Sequence, residues 1–193
     1  MIKELELNND DDFISCFDDL YQDITSEYVF DDTMKKINVQ REAKRIGSLF
    51  SCCSNDMDFV YSNYAGLENA IYDILCMNGI EISKTRDINV EFILAKSHNQ
   101  NIVENSFAIH QDTGSKVQGD SYTMIIYLHT KCQGGELIFY ESTSGGFEQT
   151  ITVDPNTTSS SSTKVVIFDG EIFHKPEPFY DGQRCAIVCQ VSK

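Results

Sequence analysis

The chain has 193 residues, enough for one domain with a buried core. Its formal charge of −15, on an otherwise ordinary composition of 41% hydrophobic and 23% charged residues, argues against a general grip on phosphate backbones, which rests on Lys and Arg. Nucleic acid is therefore not the expected partner. No apolar run approaches the roughly 18 residues of a membrane span, and residues 1–6 lack the apolar centre of a secretory signal. Seven scattered Cys then fit free thiols in a reducing, cytoplasmic setting.

In chain order, residues 1–32 are strongly acidic, with Lys3 as their one basic residue. Within them Phe13, Ile14, Phe17, Leu20, Tyr21 and Ile24 recur at three- and four-residue spacing, which predicts an amphipathic helix. A second helix is expected over residues 33–50 and a third over 56–77, the latter ended by Asn78-Gly79. The pattern then changes to short apolar runs separated by glycine and polar turns. Strands are expected over 88–95, 103–112, 122–129, 136–140, 147–153, 164–168 and 184–191. Residues 97–101 read as a polar loop, 113–121 as a mobile connection, 132–135 as a turn and 155–163 as an exposed flexible loop. Helices first and many short strands afterwards predict an α+β chain whose core is an antiparallel sandwich or jelly roll buttressed by helices.

The stretch richest in chemistry is Phe107-Ala108-Ile109-His110-Gln111-Asp112. Residues i and i+2 of a strand share a face, so His110 and Asp112 aim at one point. His174 follows the run Val165-Val166-Ile167-Phe168 and a turn at Asp169-Gly170, and is placed to supply a third donor. Two His and one carboxylate on one face leave about three coordination positions open, the arrangement used by non-haem Fe(II) oxygenases. Arg184 opens the last strand, ten positions after His174. A guanidinium fork suits a carboxylate and could hold the distal end of an anionic co-substrate, with the Tyr127 hydroxyl adding a donor. His129, on the far side of Leu128, reads as a non-ligand, and His98 as a solvated loop residue.

Taken in order, His110-x-Asp112, Tyr127-Leu128, Gly134-Gly135-x-Leu137-x-Phe139, Phe168, His174, Pro178 and Gly182-x-Arg184 resemble the 2-oxoglutarate- and Fe(II)-dependent dioxygenases. The closest resemblance is to their prolyl-hydroxylase-like branch. It covers residues 88–191, while residues 1–87 carry no family signature. The resemblance implies a double-stranded β-helix over 88–191, with 1–80 as helical support inside a single domain of 1–193. It implies that His110, Asp112 and His174 bind Fe(II), that Arg184 pairs with the distal carboxylate of 2-oxoglutarate, and that Tyr127 is hydrogen-bonded to the same group. O2 is the implied second co-substrate, ascorbate is a further candidate, and no catalytic residue is implied beyond the metal site. In the branch that repairs alkylated nucleic acid, Asn usually follows the Asp and a second Arg lies near the C-terminus. Here Thr113 follows Asp112 and no Arg follows Arg184, which counts against that branch.

The implied function is hydroxylation of a protein or peptide side chain, with prolyl favoured, yielding succinate and CO2. Segments 97–103 and 113–121 are the expected lids over the substrate. Two alternatives stand beside it: a small-molecule or free-amino-acid oxygenase, and a non-catalytic metal-binding jelly roll that recognises a partner through its acidic helices. The intact set His110, Asp112, His174 and Arg184 weighs against the second of these.

Overall fold

The computed structural model describes residues 1–8, 15–27, 44–45, 67–80, 82, 88–103, 108–112, 121–159 and 162–193, with backbone alone at 8, 20, 23–27, 44–45, 67–68, 88–103 and 180–181. The described elements are β1 (Ile2–Asn8), α1 (Ser15–Glu27), β2 (Lys44–Arg45), α2 (Leu67–Met77), β3 (Ile88–Val103), β4 (Ser121–Leu128), β5 (Lys131–Gly134), β6 (Leu137–Thr143), β7 (Gly146–Val153), β8 (Ser162–Asp169), β9 (Phe173–Pro176) and β10 (Phe179–Ser192). Every described strand pair is antiparallel. A seven-stranded sheet runs β1-β8-β4-β10-β3-β2, with β5 added on β10, and a three-stranded sheet runs β7-β6-β9. From β4 onward the chain passes between the sheets: β4 in the large one, β6 and β7 in the small one, β8 in the large, β9 in the small, β10 in the large. The result is a jelly-roll-like core of antiparallel strands.

The apolar patterning follows from this layering. Met124, Ile126 and Leu128 of β4 face outward, where they join Val165 and Ile167 of β8, Ile187 and Val191 of β10, and the helical Phe17, Ile71, Ile74 and Leu75. Ile125 and Tyr127 face inward, against Val166, Phe168 and Ala186 of the same sheet and Leu137, Phe139 and Val153 of the small one. A strand covered on both faces loses alternation and reads as a continuous apolar run, as 124–128 does. Burying each large side chain contributes roughly 1.5–3 kcal/mol.

The helix α2 buries Ala70, Ile71, Ile74 and Leu75 along one stripe and exposes Asp73, Cys76 and Met77. Its end is set by Gly79 at φ 71°, with Ile80 N–H donating to the Leu75 carbonyl and Gly79 N–H to that of Cys76. This is a Schellman closure, and the buried Ile80 supplies its hydrophobic contact. The Lys3 ammonium caps the same end through the Asn78 carbonyl, where a cation suits the helix dipole.

Several expectations change. The acidic leader is not helical throughout: Ile2–Asn8 is a strand that zips onto β8, with Leu5 and Leu7 against the core and Glu4 paired to Lys164 at 3.3 Å. Its period-two signal is short and diluted by charge. Most of the helix expected over 33–50 lies outside the described residues, but Lys44 and Arg45 pair with Leu94 and Ile93 as a strand. Of the helix expected over 56–77, the described part, 67–77, is helical. The polar run 97–101 is not a separate loop. It belongs to β3, at a break in register where Tyr180 pairs with Ile102 and Gly182 with Ser97. Residues 131–134 form β5 instead of a turn, and His174 lies on a strand of its own, β9, that was not anticipated. The connection 113–120 lies outside the described residues. Among the described residues, no helix is long and apolar enough to cross a membrane.

Candidate metal centre

His110 lies on the short extended segment 108–112, which adds to the edge of the small sheet. It exchanges two backbone hydrogen bonds with His174 of β9: His110 N–H to the His174 carbonyl at 3.0 Å, and the reverse at 2.9 Å. Directly opposed residues of an antiparallel pair put their side chains side by side, and the two imidazole centroids are 4.3 Å apart. Asp112, two residues further along the same face, is fastened through its main chain. Its N–H donates to the Gly170 carbonyl at 2.8 Å, and its carbonyl accepts from the Ser121 hydroxyl at 3.1 Å. Glycine at 170 allows this close approach, since a Cβ there would lie 2.6 Å from Ser121 Oγ and 3.0 Å from the Ser121 carbonyl oxygen and would displace the Ser121 hydroxyl.

Both imidazoles are oriented in the same way. His110 Nδ1 bonds the Ala108 carbonyl and His174 Nδ1 the Ile172 carbonyl, each at 3.0 Å and each two residues back. A carbonyl accepts only, so these bonds place the ring proton on Nδ1 and leave Nε2 as the lone-pair side. The Nε2 atoms then face the Asp112 carboxylate, His110 at 3.6 Å from Oδ1 and His174 at 3.5 Å from Oδ2. Three lone-pair donors from these side chains lie within 4.8 Å of one another. With Nδ1 turned to a carbonyl on both rings, two imidazole lone pairs and a carboxylate converge, and the residues present fit a divalent metal. His174 is buried, and the loss of solvent holds its imidazole below the ordinary range against the opposing pull of Asp112 and the Ile172 bond. That keeps it in the neutral form that ligates metals.

The inner side of this cluster is dry. Phe168 meets the His174 ring edge-on at 4.7 Å, and Phe139 packs on Phe168 at 5.0 Å. The outer side is open, with 34% of the His110 side chain exposed.

A second polar group lies on the same inner face of the large sheet. Tyr127 stands opposite Ala186, two residues from Arg184, so the two side chains are diagonal neighbours across β4 and β10. Arg184 is buried, stacked with its Cζ 5.1 Å from the Phe179 ring centroid. Its Nη1 donates to the carbonyls of Glu177 at 3.2 Å and Gly135 at 3.4 Å. No carboxylate among the described residues pairs with it, and burial lowers its pKa while Tyr127 and Cys132 oppose the shift. A desolvated guanidinium with no counter-ion is a site for an anion. The Tyr127 hydroxyl makes no hydrogen bond among the described residues, and burial pushes its pKa to about 12, so it stays an O–H donor.

The glycines of the sequence motif shape the surroundings of Arg184. A Cβ at Gly182 would fall 2.1 Å from the Lys131 carbonyl oxygen, so glycine is what lets β5 close onto β10. Gly135, at φ 82°, would bring a Cβ to 3.0 Å from the Phe179 Cβ and 3.5 Å from Arg184 Nη1. The Gly-Gly turn and the Gly-x-Arg segment, separate in sequence, are one structure around Arg184.

The structure thus brings His110, Asp112 and His174 together, and makes Arg184 and Tyr127 neighbours of each other on the inner face of the large sheet. His129 is engaged elsewhere: it bonds Asp18 at 3.0 Å, and its ring lies 4.4 Å from that of Tyr21, tilted by 40°. The side chain of His98 lies outside the described set. Thr123 was not anticipated, and its hydroxyl donates to Asp112 Oδ2 at 2.8 Å. The available signal was its position on an apolar strand, in phase with Tyr127.

No family model matches the chain, and no curated protein matches it. Among solved structures it is similar to a prolyl hydroxylase from Trichoplax adhaerens, solved with a hypoxia inducible factor peptide fragment, at 16% identity and TM-score 0.48 over 98% of this chain and 83% of that one. It is also similar to a prolyl-4-hydroxylase from Pseudomonas putida, at 15% identity and TM-score 0.42 over 98% and 92% of the two chains. A 2OG-Fe(II) oxygenase family oxidoreductase from Burkholderia pseudomallei matches at 11% identity and TM-score 0.45 over 72% of this chain and 57% of that one.

Proposed function

We propose that this chain is a 2-oxoglutarate- and Fe(II)-dependent dioxygenase built on a double-stranded β-helix, and that it hydroxylates a C–H bond of a protein or peptide side chain. The observation that carries this reading is the convergence of two Nδ1-anchored imidazoles on Asp112, with a buried Arg184 on the facing sheet that has no carboxylate partner among the described residues. A metal-binding interaction module has use for the first feature and none for the second. Favouring prolyl as the substrate rests on the ordered series of motifs from His110 to Arg184.

His110, Asp112 and His174 would hold the metal and leave about three positions of its coordination sphere open. Bound iron with a chelated 2-oxo acid supplies O2 activation coupled to decarboxylation, giving succinate and CO2. Arg184 would hold the distal carboxylate through a charge-assisted fork, with the Tyr127 hydroxyl donating to the same group. Phe139 and Phe168 exclude water from the inner side of the donors, which strengthens every electrostatic contact there. Substrate would approach from the side on which His110 is exposed.

The test is succinate production from 2-oxoglutarate with Fe(II) and ascorbate, for wild type and His174→Ala. Uncoupled turnover present in wild type and absent in the variant is the expected result. A metal-to-ligand charge-transfer band on anaerobic addition of 2-oxoglutarate to the Fe(II) protein should accompany it. Absence of both turnover and band in folded wild-type protein would overturn the assignment.

A further inference from the structure

The two oxygens of Asp112 are not equivalent. Oδ2 accepts the Thr123 hydroxyl at 2.8 Å and faces His174 Nε2 at 3.5 Å, whereas Oδ1 faces His110 Nε2 at 3.6 Å and accepts no hydrogen bond among the described residues. Thr123 is fully buried on β4. It pairs with Phe168 on one side and Gln190 on the other, in the middle of the large sheet. A β-branched side chain in such a strand is stiff at χ1, so its hydroxyl is a fixed point. The Asp112 main chain is independently fastened to Gly170 and Ser121. What remains soft is the terminal torsion of the carboxylate, which is broad and roughly two-fold.

We propose that Thr123 is a positioning residue whose hydroxyl ties down Oδ2, so that Asp112 offers a divalent metal Oδ1 alone. The inference rests on the proposed function above. Rotation of an untethered carboxylate brings both oxygens to the metal and fills a position that a chelating 2-oxo acid needs. Thr123 therefore protects the open face of the site without touching metal or co-substrate. A residue that merely packed the core would leave the number of bound carboxylate oxygens unchanged.

The experiment uses the full chain loaded with Mn(II). Two quantities are read for wild type, Thr123→Val and Thr123→Ser: 2-oxoglutarate affinity by calorimetry, and the splitting of carboxylate stretches in the metal-loaded minus apo infrared spectrum. Wild type should show the wide splitting of one-oxygen binding. Thr123→Val should narrow it and weaken 2-oxoglutarate binding about 10–100-fold, the usual cost of losing a group that orients a ligand. Thr123→Ser, which keeps the donor, should restore both. If wild type takes up no Mn(II), the proposed function fails and this inference with it. If wild type binds Mn(II) but Thr123→Val leaves affinity and splitting unchanged, the role of Thr123 alone is overturned. A narrow splitting in wild type overturns it even when the valine variant does not fold.

Discussion

The two sheets of this molecule have different relations to water. In the large sheet, β4 is covered on both faces from Thr123 to Leu128, between the helices on one side and the small sheet on the other. In the small sheet, β7 is exposed along its length up to Val153, and Phe147 and Ile151 remain 47% and 44% accessible. Yet the small sheet and its edge carry His110, Asp112 and His174, while the large sheet carries Thr123, Tyr127 and Arg184. The small sheet and its edge bring the candidate donors together, and the large sheet supplies the hydroxyl that Asp112 accepts and a buried guanidinium with no carboxylate partner among the described residues.

This contrast can be broken most severely at the donors. His174→Ala should abolish Mn(II) uptake and reduce succinate formation to background, read by calorimetry and product analysis. Next, Phe168→Ala removes the ring that walls the donors and sits between the sheets. It should destabilise the fold by about 3–5 kcal/mol in urea denaturation. Arg184→Ala should weaken 2-oxoglutarate binding to the Mn(II) protein about 10–100-fold, corresponding to roughly 1.5–3 kcal/mol for hydrogen bonds to a charged group. Unchanged affinity would remove the large sheet from the anion site.

A milder effect comes from pH. The Tyr127 pKa is raised from 10 to about 12, because its neutral form is the one that burial favours. The folded chain then keeps a proton that the unfolded chain releases. This part of the stability is intact below pH 10 and is lost as pH rises towards 12. Tyr127→Phe should flatten the dependence of stability on pH in that window, measured by denaturation at stepped alkaline pH. The smallest effect is expected at the exposed edge, where Phe147 is half exposed and edge-on to Phe173 at 4.9 Å, and Phe147→Ala should cost about 1 kcal/mol. A shift comparable to that of Phe168→Ala would mean that the outer face of the small sheet is structural.

Much of the site was legible because its signals are local. His110 and Asp112 obey the period of two, and Gly182 sits two residues from Arg184 because β5 lies against that backbone. The core strands were legible as apolar runs. Elements set by partners distant in sequence were not. β1 looks like part of an acidic leader until β8 is beside it, and β9 is four residues containing Lys175 and Pro176 that become a strand by pairing with β6. Thr123 was invisible for a similar reason: a lone hydroxyl in an apolar run gains meaning only when Asp112 arrives opposite it.

The zippering of β1 onto β8 has a kinetic consequence. Glu6 reaches Thr158, 152 positions along the chain, and the strand carrying Arg184 is the one that joins β3 to β4. Pairings this remote cost loop-closure entropy before any contact rewards it, which places such topologies in the millisecond-to-second range of folding. The residues at 110, 112 and 174 converge through pairings of the same remote kind, His110 with His174 and Asp112 with Gly170. Added Mn(II) should therefore leave the refolding rate unchanged.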